Sequence, residues 1–192
     1  MPTLANFQLR YPQLPEDRRR TDVRGNGGEY YKTMSAQPNT TNSSIRLASP
    51  VFNEGAQIPA AYTCKGQNIN PPLSITGVPA SSKSLALIMH DPDSVSGDFV
   101  HWLAWDLPAS TTTIGPNSSP SDAVQGFNGR GQSGYTGPCP PAGTGVHRYI
   151  FELYALDKTL GLPPTTNRDQ LQKAMAGHII AQHTLTGLFP AD

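Results

Sequence analysis

The chain has 192 residues, including 18 glycines and 19 prolines. Both residue types interrupt helices, so this content argues against helical bundles and coiled coils. Fourteen Lys and Arg balance fourteen Asp and Glu, whereas nucleic-acid binders and polybasic membrane anchors carry a basic excess. No apolar run reaches the roughly 18–20 residues of a membrane span, and no N-terminal stretch resembles a secretory signal. We therefore expect a cytoplasmic protein with one main domain.

The first 44 residues differ in composition from the rest. They carry six basic and four acidic residues without apolar periodicity, and residues 37–44 are almost wholly small and polar. This predicts a disordered or extended tail over 1–44 and a folded domain over 45–192. Two other interpretations stay open. One is a transit peptide, against which the four acidic residues argue, and the other is a translation start at Met34.

Four segments between residues 46 and 156 have the composition of strands. Residues 46–52 are short, extended and bounded by turn residues. Residues 84–90 read SLALIMH, a continuous apolar run that is typical of a strand buried on both faces. Residues 99–107 are rich in aromatic side chains, and residues 147–156 alternate in polarity. Both patterns favour β-structure.

The alternation in 147–156 places one set of side chains on a common face, namely His147, Tyr149, Phe151 and Leu153. A helix follows, with Asn167 as its N-cap and Gly177 at its end. Its positions at helical spacing are Leu171, Ala174, Met175 and His178. Residues 178–189 form the last predicted strand. Together the segments predict an all-β fold, a Greek-key-like sandwich of antiparallel sheets with one or two minor helices.

Two motifs allow more than one interpretation. Gly129, Gly131 and Gly134 spell G-x-G-x-x-G, but a dinucleotide site needs a helix after this motif. Several prolines follow instead, so we reject a nucleotide site. Cys64 and Cys139 lie too far apart in sequence for a zinc finger. They are either two buried thiols, which is the default in a cytosolic chain, or a disulfide.

Polar residues with possible roles in binding lie in or next to three of the predicted strands. Asp91 and Asp93 follow the buried strand, where both can simply cap a turn. His101 lies within the aromatic strand, and a lone histidine there is more often structural than a ligand. His147 begins the next strand. The chemistry of these residues becomes informative only if the fold brings them together.

The loop before His147 has an unusual composition. Residues 126–145 contain seven glycines and three prolines. Proline stiffens such a loop, while glycine allows its backbone to approach a ligand closely. Long loops without regular structure are usually functional or disordered. We therefore expect this loop to form one wall of a site for a small polar ligand.

Four stretches in the same order resemble the phosphatidylethanolamine-binding protein family, in its bacterial and archaeal Raf-kinase-inhibitor-like branch. DPDSVS resembles a DPDxPS motif, and FVHWLAWDLP resembles the strand that follows it. GYTGPCPPAGTGVHRYIFELYALD resembles the signature GxPPxGxHRYxFxLYALD, and YTCKGQNINPPL also fits. The resemblance covers about residues 45–189. One departure is Val95, which stands where the family motif has its second proline.

The resemblance implies a β-sandwich with a small anion pocket and no metal or cofactor. The pocket residues that it implies are Asp91, His101, His147 and Tyr149, with Pro140, Pro141 and Gly143 at the rim. Asp93 and Arg148 match motif positions too, and we expect them to be structural and paired. In this family such pockets accept phosphate, phosphorylated head groups and similar anions. The relatives also suggest a homodimer.

Three functions follow from these expectations. The first is a non-enzymatic protein that binds a small anion or phosphorylated ligand, such as a phospholipid head group. The second is an inhibitor of a kinase or serine protease, acting through protein contacts. The third is a hydrolase in which Asp91, His101 and His147 hold a metal, or in which the two histidines act as acid and base. For the first function we expect both histidines to donate to the anion, so that binding weakens above about pH 7.

Overall fold

The computed structural model describes residues 45–120 and 122–191, so the predicted tail over 1–44 lies outside the described residues. This part of the chain contains nine strands, one α-helix and a 3-10 helix over Ala60–Tyr62. The strands are β1 (Arg46–Ala48), β2 (Ala56–Gln57), β3 (Leu73–Thr76), β4 (Ser84–Asp91), β5 (Phe99–Pro108), β6 (Thr113–Ile114), β7 (Val124–Gln125), β8 (Val146–Leu156) and β9 (Ile179–Pro190). The helix α1 spans Arg168–Met175.

The strands form two sheets. The small sheet has the order β1-β3-β6 and is antiparallel, and the large sheet has the order β2-β9-β8-β4-β5-β7. All neighbours in the large sheet are antiparallel except β2 and β9. The predicted β-sandwich with minor helices is therefore confirmed.

The main core lies between the sheets. Leu47 and Ile75 of the small sheet pack in one cluster with Leu87, Met89 and Phe151 of the large sheet. The opposite face of the large sheet carries a second cluster that includes Leu171 and Met175 of α1. Strand β4 is buried along its whole length because it is covered on both faces. Because both faces of β4 pack against other residues, the side chains on both faces are apolar, which explains the continuous apolar sequence.

The long strands lie where the sequence predicts them, within one or two residues. The first strand is shorter than the predicted 46–52 and ends at Ala48. The pattern did not reveal β3, nor the two-residue strands β2, β6 and β7, because such short pairings carry too little periodicity.

Helix α1 begins as predicted. The Asn167 side chain accepts a hydrogen bond from the Gln170 N–H, and Gln170 reciprocates in a capping box. The helix ends at Met175, so His178 lies beyond it, and Gly177 takes the left-handed conformation with φ +79°. No helix among the described residues is long and apolar enough to cross a bilayer.

Candidate functional site

Three neighbouring strands of the large sheet have termini at the same end of the sheet, namely β8, β4 and β5. Asp91 is the last residue of β4 and pairs with Phe99 at the start of β5. His147 lies at the start of β8, which runs antiparallel to β4. Leu85, Leu87 and Met89 face the inter-sheet core, and because side chains alternate along a strand, Asp91 continues their face beyond the core. Polar groups therefore gather where the apolar core ends.

A β-bulge brings His101 into this group. Met89 pairs with Trp102, whereas the next residue, His90, pairs with Val100, so His101 is the extra residue of β5. Trp102 already faces the inter-sheet core, and strict alternation would have turned His101 to the opposite face. Bulges re-aim side chains in this way, often beside functional sites. The His101 ring instead contacts the Tyr149 ring, with a centroid distance of 5.1 Å.

These side chains line a cavity of about 260 Å³. Six of the residues implied by the resemblance lie in its wall, namely Asp91, His101, Pro140, Pro141, His147 and Tyr149. Gly143 does not line it; its φ of +81° serves the turn instead. The wall also contains residues that the sequence did not single out, namely Ser94, Val95, Ser96, Phe99, Arg130 and Cys139. Two of these residues lie in segments that the sequence did single out. Arg130 is part of the rejected glycine motif, and Phe99 begins the aromatic strand.

Asp91 orients His147 inside the cavity. The His147 Nδ1 lies 2.7 Å from Asp91 Oδ2, and both side chains are buried. The other carboxylate oxygen of Asp91 accepts a hydrogen bond from the Asp93 N–H at 2.9 Å. Because both oxygens of Asp91 already accept hydrogen bonds, the carboxylate acts as a support for His147. On the far side of the ring, Nε2 lies 2.8 Å from the Thr144 hydroxyl.

His101 differs from the expectation that both histidines donate to the ligand. Its Nδ1 lies 2.7 Å from the Thr136 carbonyl, which can only accept, so the ring proton is on Nδ1. Burial lowers the pKa of His101 to about 4, outweighing the Thr136 hydrogen bond and the Asp91 charge, which raise it. At neutral pH the ring is uncharged, and Nε2 is a hydrogen-bond acceptor.

Tyr149 supplies an unpaired donor. Its hydroxyl oxygen is buried and has no hydrogen-bond partner among the described residues. Burial, followed by the charge of Asp91, raises the pKa of this hydroxyl, so it stays protonated. Asp91 lies near enough to influence this titration, but no contact between the two side chains has the geometry of a hydrogen bond. A buried donor without an acceptor is costly.

The loop between β4 and β5 is fixed at both ends by ion pairs. At its start, Arg148 donates to both carboxylate oxygens of Asp93, at 2.8 and 2.7 Å. These hydrogen bonds lower the pKa of Asp93 to about 2. At its end, Asp98 contacts His90 and Arg168. Asp93 and Arg148 thus pair outside the cavity and hold its rim in place.

The glycine- and proline-rich loop is fastened to the segment around the 3-10 helix. Of the two alternatives for the cysteines, the structure has the disulfide between Cys64 and Cys139. The Cys64 N–H donates to the Pro138 carbonyl at 3.0 Å, and the Gly137 N–H donates to Asn68 Oδ1 at 2.7 Å. A Cβ on Gly137 would lie only 2.6 Å from the Tyr62 carbonyl oxygen, so this approach requires glycine.

Similarity to known proteins agrees with this architecture. A family model described as phosphatidylethanolamine-binding protein matches residues 48–190. The chain belongs to the phosphatidylethanolamine-binding protein family. The resemblance found in the sequence motifs is thereby confirmed.

Relatives of the family occur in archaea and bacteria. A UPF0098 protein of Pyrococcus horikoshii is 48% identical over 152 residues, covering 76% of each chain. A Mycobacterium tuberculosis protein, LppC, whose name describes a candidate lipoprotein, is 37% identical and covers 86% of this chain and 87% of its own. The crystal structure of a family homologue from Chlamydia trachomatis is 39% identical, with a TM-score of 0.74, and covers 78% of this chain and 99% of that one.

A metal site formed by Asp91, His101 and His147 is one form of the third function considered from the sequence, although the resemblance implies no metal. Within residues 45–120 and 122–191, no group of three His, Cys, Asp or Glu side chains has an arrangement that could hold a metal ion. Asp91 and the His147 Nδ1 bind each other, and the His101 Nδ1 binds a carbonyl. The donor atoms therefore do not converge on one point.

Proposed function

We propose that the protein is a non-enzymatic receptor for a small anion, namely a phosphate group, either free or at the end of a larger ligand. The main support for this proposal is the Tyr149 hydroxyl. It is a buried donor in the cavity wall and has no hydrogen-bond partner among the described residues. Leaving such a group unpaired costs about 1–3 kcal/mol. An anionic oxygen that enters the cavity recovers this energy.

The dimensions of the cavity support the same class of ligand. Its volume of about 260 Å³ lies just below the roughly 300–1,000 Å³ of pockets for drug-sized molecules. Phe99, Pro140 and Pro141 give part of the wall an apolar surface. A phosphoryl group with a short substituent fits this combination. A phospholipid head group and a free phosphate ester share this chemistry.

Binding without turnover is supported by the state of the hydroxyl next to His147. Asp91, His147 and Thr144 are connected in the order of a hydrolytic triad. However, the Thr144 hydroxyl also lies 2.8 Å from the Pro141 carbonyl, to which it donates. One hydroxyl proton cannot serve both partners, so a Thr144 hydroxyl that donates to Pro141 is not poised as a nucleophile for His147 to activate.

Titration with inorganic phosphate, followed by ³¹P NMR between pH 5 and 8, tests this function. We expect saturable binding by the wild type and about tenfold weaker binding by Tyr149→Phe, which removes only the hydroxyl. His147→Ala should also weaken binding. His178→Ala is the matched control, since this partly buried histidine pairs with Asp157 outside the cavity. Absence of binding by the wild type, or unchanged affinity in Tyr149→Phe, would contradict the proposal.

The cellular location stays a prediction. The sequence suggested the cytoplasm, where thiols are usually kept reduced. The disulfide between Cys64 and Cys139 and the description of the relative LppC as a candidate lipoprotein both favour an oxidising compartment instead.

A further inference from the structure

The polar groups of the cavity differ in what they offer a ligand. His101 Nε2 is an acceptor, because Nδ1 carries the proton and donates to Thr136. No hydrogen bond joins Nε2 to any other described residue. The Tyr149 hydroxyl is a donor without a partner in the same part of the chain. His147 has both ring nitrogens engaged, by Asp91 and Thr144. A ligand that satisfies this cavity must therefore donate as well as accept.

Arg130 adds the positive charge. It is the only Lys or Arg in the described wall of the cavity, and its side chain is exposed, whereas His101 and Tyr149 are buried. The other arginines near the site are paired, Arg148 with Asp93 and Arg168 with Asp98. Among the described residues, no carboxylate pairs with Arg130. Its charge is therefore available to a ligand.

The backbone that presents Arg130 is held firmly. The buried Asn128 side chain accepts from the Arg130 N–H at 2.9 Å and from the Gln132 N–H at 3.3 Å. The Gly129 N–H donates to the Val100 carbonyl at 2.8 Å. A Cβ on Gly129 would lie only 2.5 Å from the Phe99 ring, so the loop packs directly against the cavity wall. The glycine motif that fails as a nucleotide site thus holds the backbone from which the Arg130 side chain reaches the cavity wall.

We infer that the cavity selects phosphate monoesters over phosphate diesters, with Arg130 binding the charged oxygens and His101 Nε2 accepting from the phosphoryl hydroxyl. A monoester in its monoanionic form has one hydroxyl on phosphorus to donate, whereas a diester has none. A diester in the same place leaves the lone pair of His101 facing an anionic oxygen. This inference rests on the proposed function and names its ligand class.

A hydrogen bond from the phosphoryl hydroxyl to His101 Nε2 also determines how many protons are taken up when a monoester binds. The second pKa of a phosphate monoester is about 6, so most of the free ligand is dianionic at pH 7. The bound state holds one proton between the phosphoryl oxygen and His101 Nε2, so binding above about pH 6 takes up one proton from solution. No covalent bond forms or breaks. The titratable or charged side chains around His101 are His90, Asp91, Arg130, His147 and Tyr149.

Methyl phosphate and dimethyl phosphate test the inference as a matched pair of ligands. Their affinities are measured by ³¹P NMR at pH 6 and constant ionic strength. We expect the wild type to bind methyl phosphate at least about tenfold more tightly than dimethyl phosphate. Arg130→Gln should weaken methyl phosphate binding by about tenfold or more, and Arg130→Lys should restore part of it. Arg46→Gln, on the small sheet and outside this cavity, is the control.

The outcomes separate this inference from the proposed function. Equal affinity for the two esters, or unchanged binding in Arg130→Gln, overturns the inference while anion binding itself stands. Tighter binding of the diester also overturns it and points to a phospholipid head group. If neither ester nor inorganic phosphate binds the wild type, the proposed function fails, and the inference fails with it.

Discussion

A neutral His101 makes stability depend on pH. Its pKa is about 4 in the folded protein and about 6.5 in an unfolded chain. Between these values the unfolded chain binds a proton that the folded protein does not. Stability is therefore unaffected above pH 6.5, falls as the pH decreases towards 4, and has lost about 3 kcal/mol below that.

Urea unfolding at pH 7 and pH 4.5 measures this effect. The wild type should lose about 2–3 kcal/mol more than His101→Gln, which cannot take up the proton. Asp93 does not interfere, because its pKa of about 2 places its contribution below this range. Equal losses in the two proteins would show that His101 does not titrate in this way.

Thr144 occupies the nitrogen of His147 that a ligand would need. The Thr144 hydroxyl lies 2.8 Å from Nε2 and is held between Gly143 and Gly145, both with positive φ. In Thr144→Ala this nitrogen is free, so phosphate affinity should increase about two- to tenfold, the worth of one net hydrogen bond. Calorimetric titration measures it, with the exposed Thr113→Ala as control. A lower affinity in Thr144→Ala would instead make the hydroxyl part of the binding site.

Within the elements, the site is partly predictable from sequence. His147 could be placed because it begins a long strand whose polarity alternates, and Asp91 because it directly follows a continuous apolar run. His101 could not, because its direction depends on a bulge set by the pairing of β4 with β5. The periodicity of β5 alone cannot show that it has one residue more than β4 at this point, because a bulge depends on both paired strands.

The glycine- and proline-rich loop over residues 126–145 is also only partly predictable from sequence. Its glycine and proline content predicts a stiff wall, and Pro140 and Pro141 do line the cavity. Which other side chains face inward is decided by contacts distant in sequence. Gly143 does not line the cavity, while the segment that carries Arg130 is held beside it by the Gly129 N–H, which donates to the Val100 carbonyl, and by the packing of Gly129 on Phe99. Such contacts leave no local pattern.

At the scale of the whole molecule, the disulfide joins two segments that are distant in sequence. Cys64 and Cys139 are 75 residues apart, and closing a loop of this size restricts the unfolded chain. Losing such a bond typically costs about 2–5 kcal/mol. Reduction by a dithiol should also weaken phosphate binding, because Cys139 and its neighbour Pro140 lie in the cavity wall.

Urea unfolding with and without dithiothreitol, together with phosphate titration, tests both effects. The double variant Cys64→Ser and Cys139→Ser should match the reduced wild type and should not respond to the reductant. If reduction leaves both the midpoint and the affinity unchanged, the bond is dispensable.

The sandwich itself is largely readable from sequence, since β4, β5, β8 and β9 carry long apolar patterns. The small sheet is not, because its strands have two to four residues, too few to show a periodicity, and their apolar side chains are buried in the core that they share with the large sheet. The homodimer suggested by the relatives stays a prediction.

The loop between β4 and β5 is anchored at both ends by ion pairs, whereas its central residues form none within the described part of the chain. Asp93 and Asp98 are bound to other elements, while Ser94, Val95 and Ser96 line the cavity between them. The side chain of Val95 is 73% exposed, so its identity is not dictated by packing. Substitutions at Val95 should therefore change which substituent a ligand can carry, while the fold and the buried polar residues of the cavity stay unchanged.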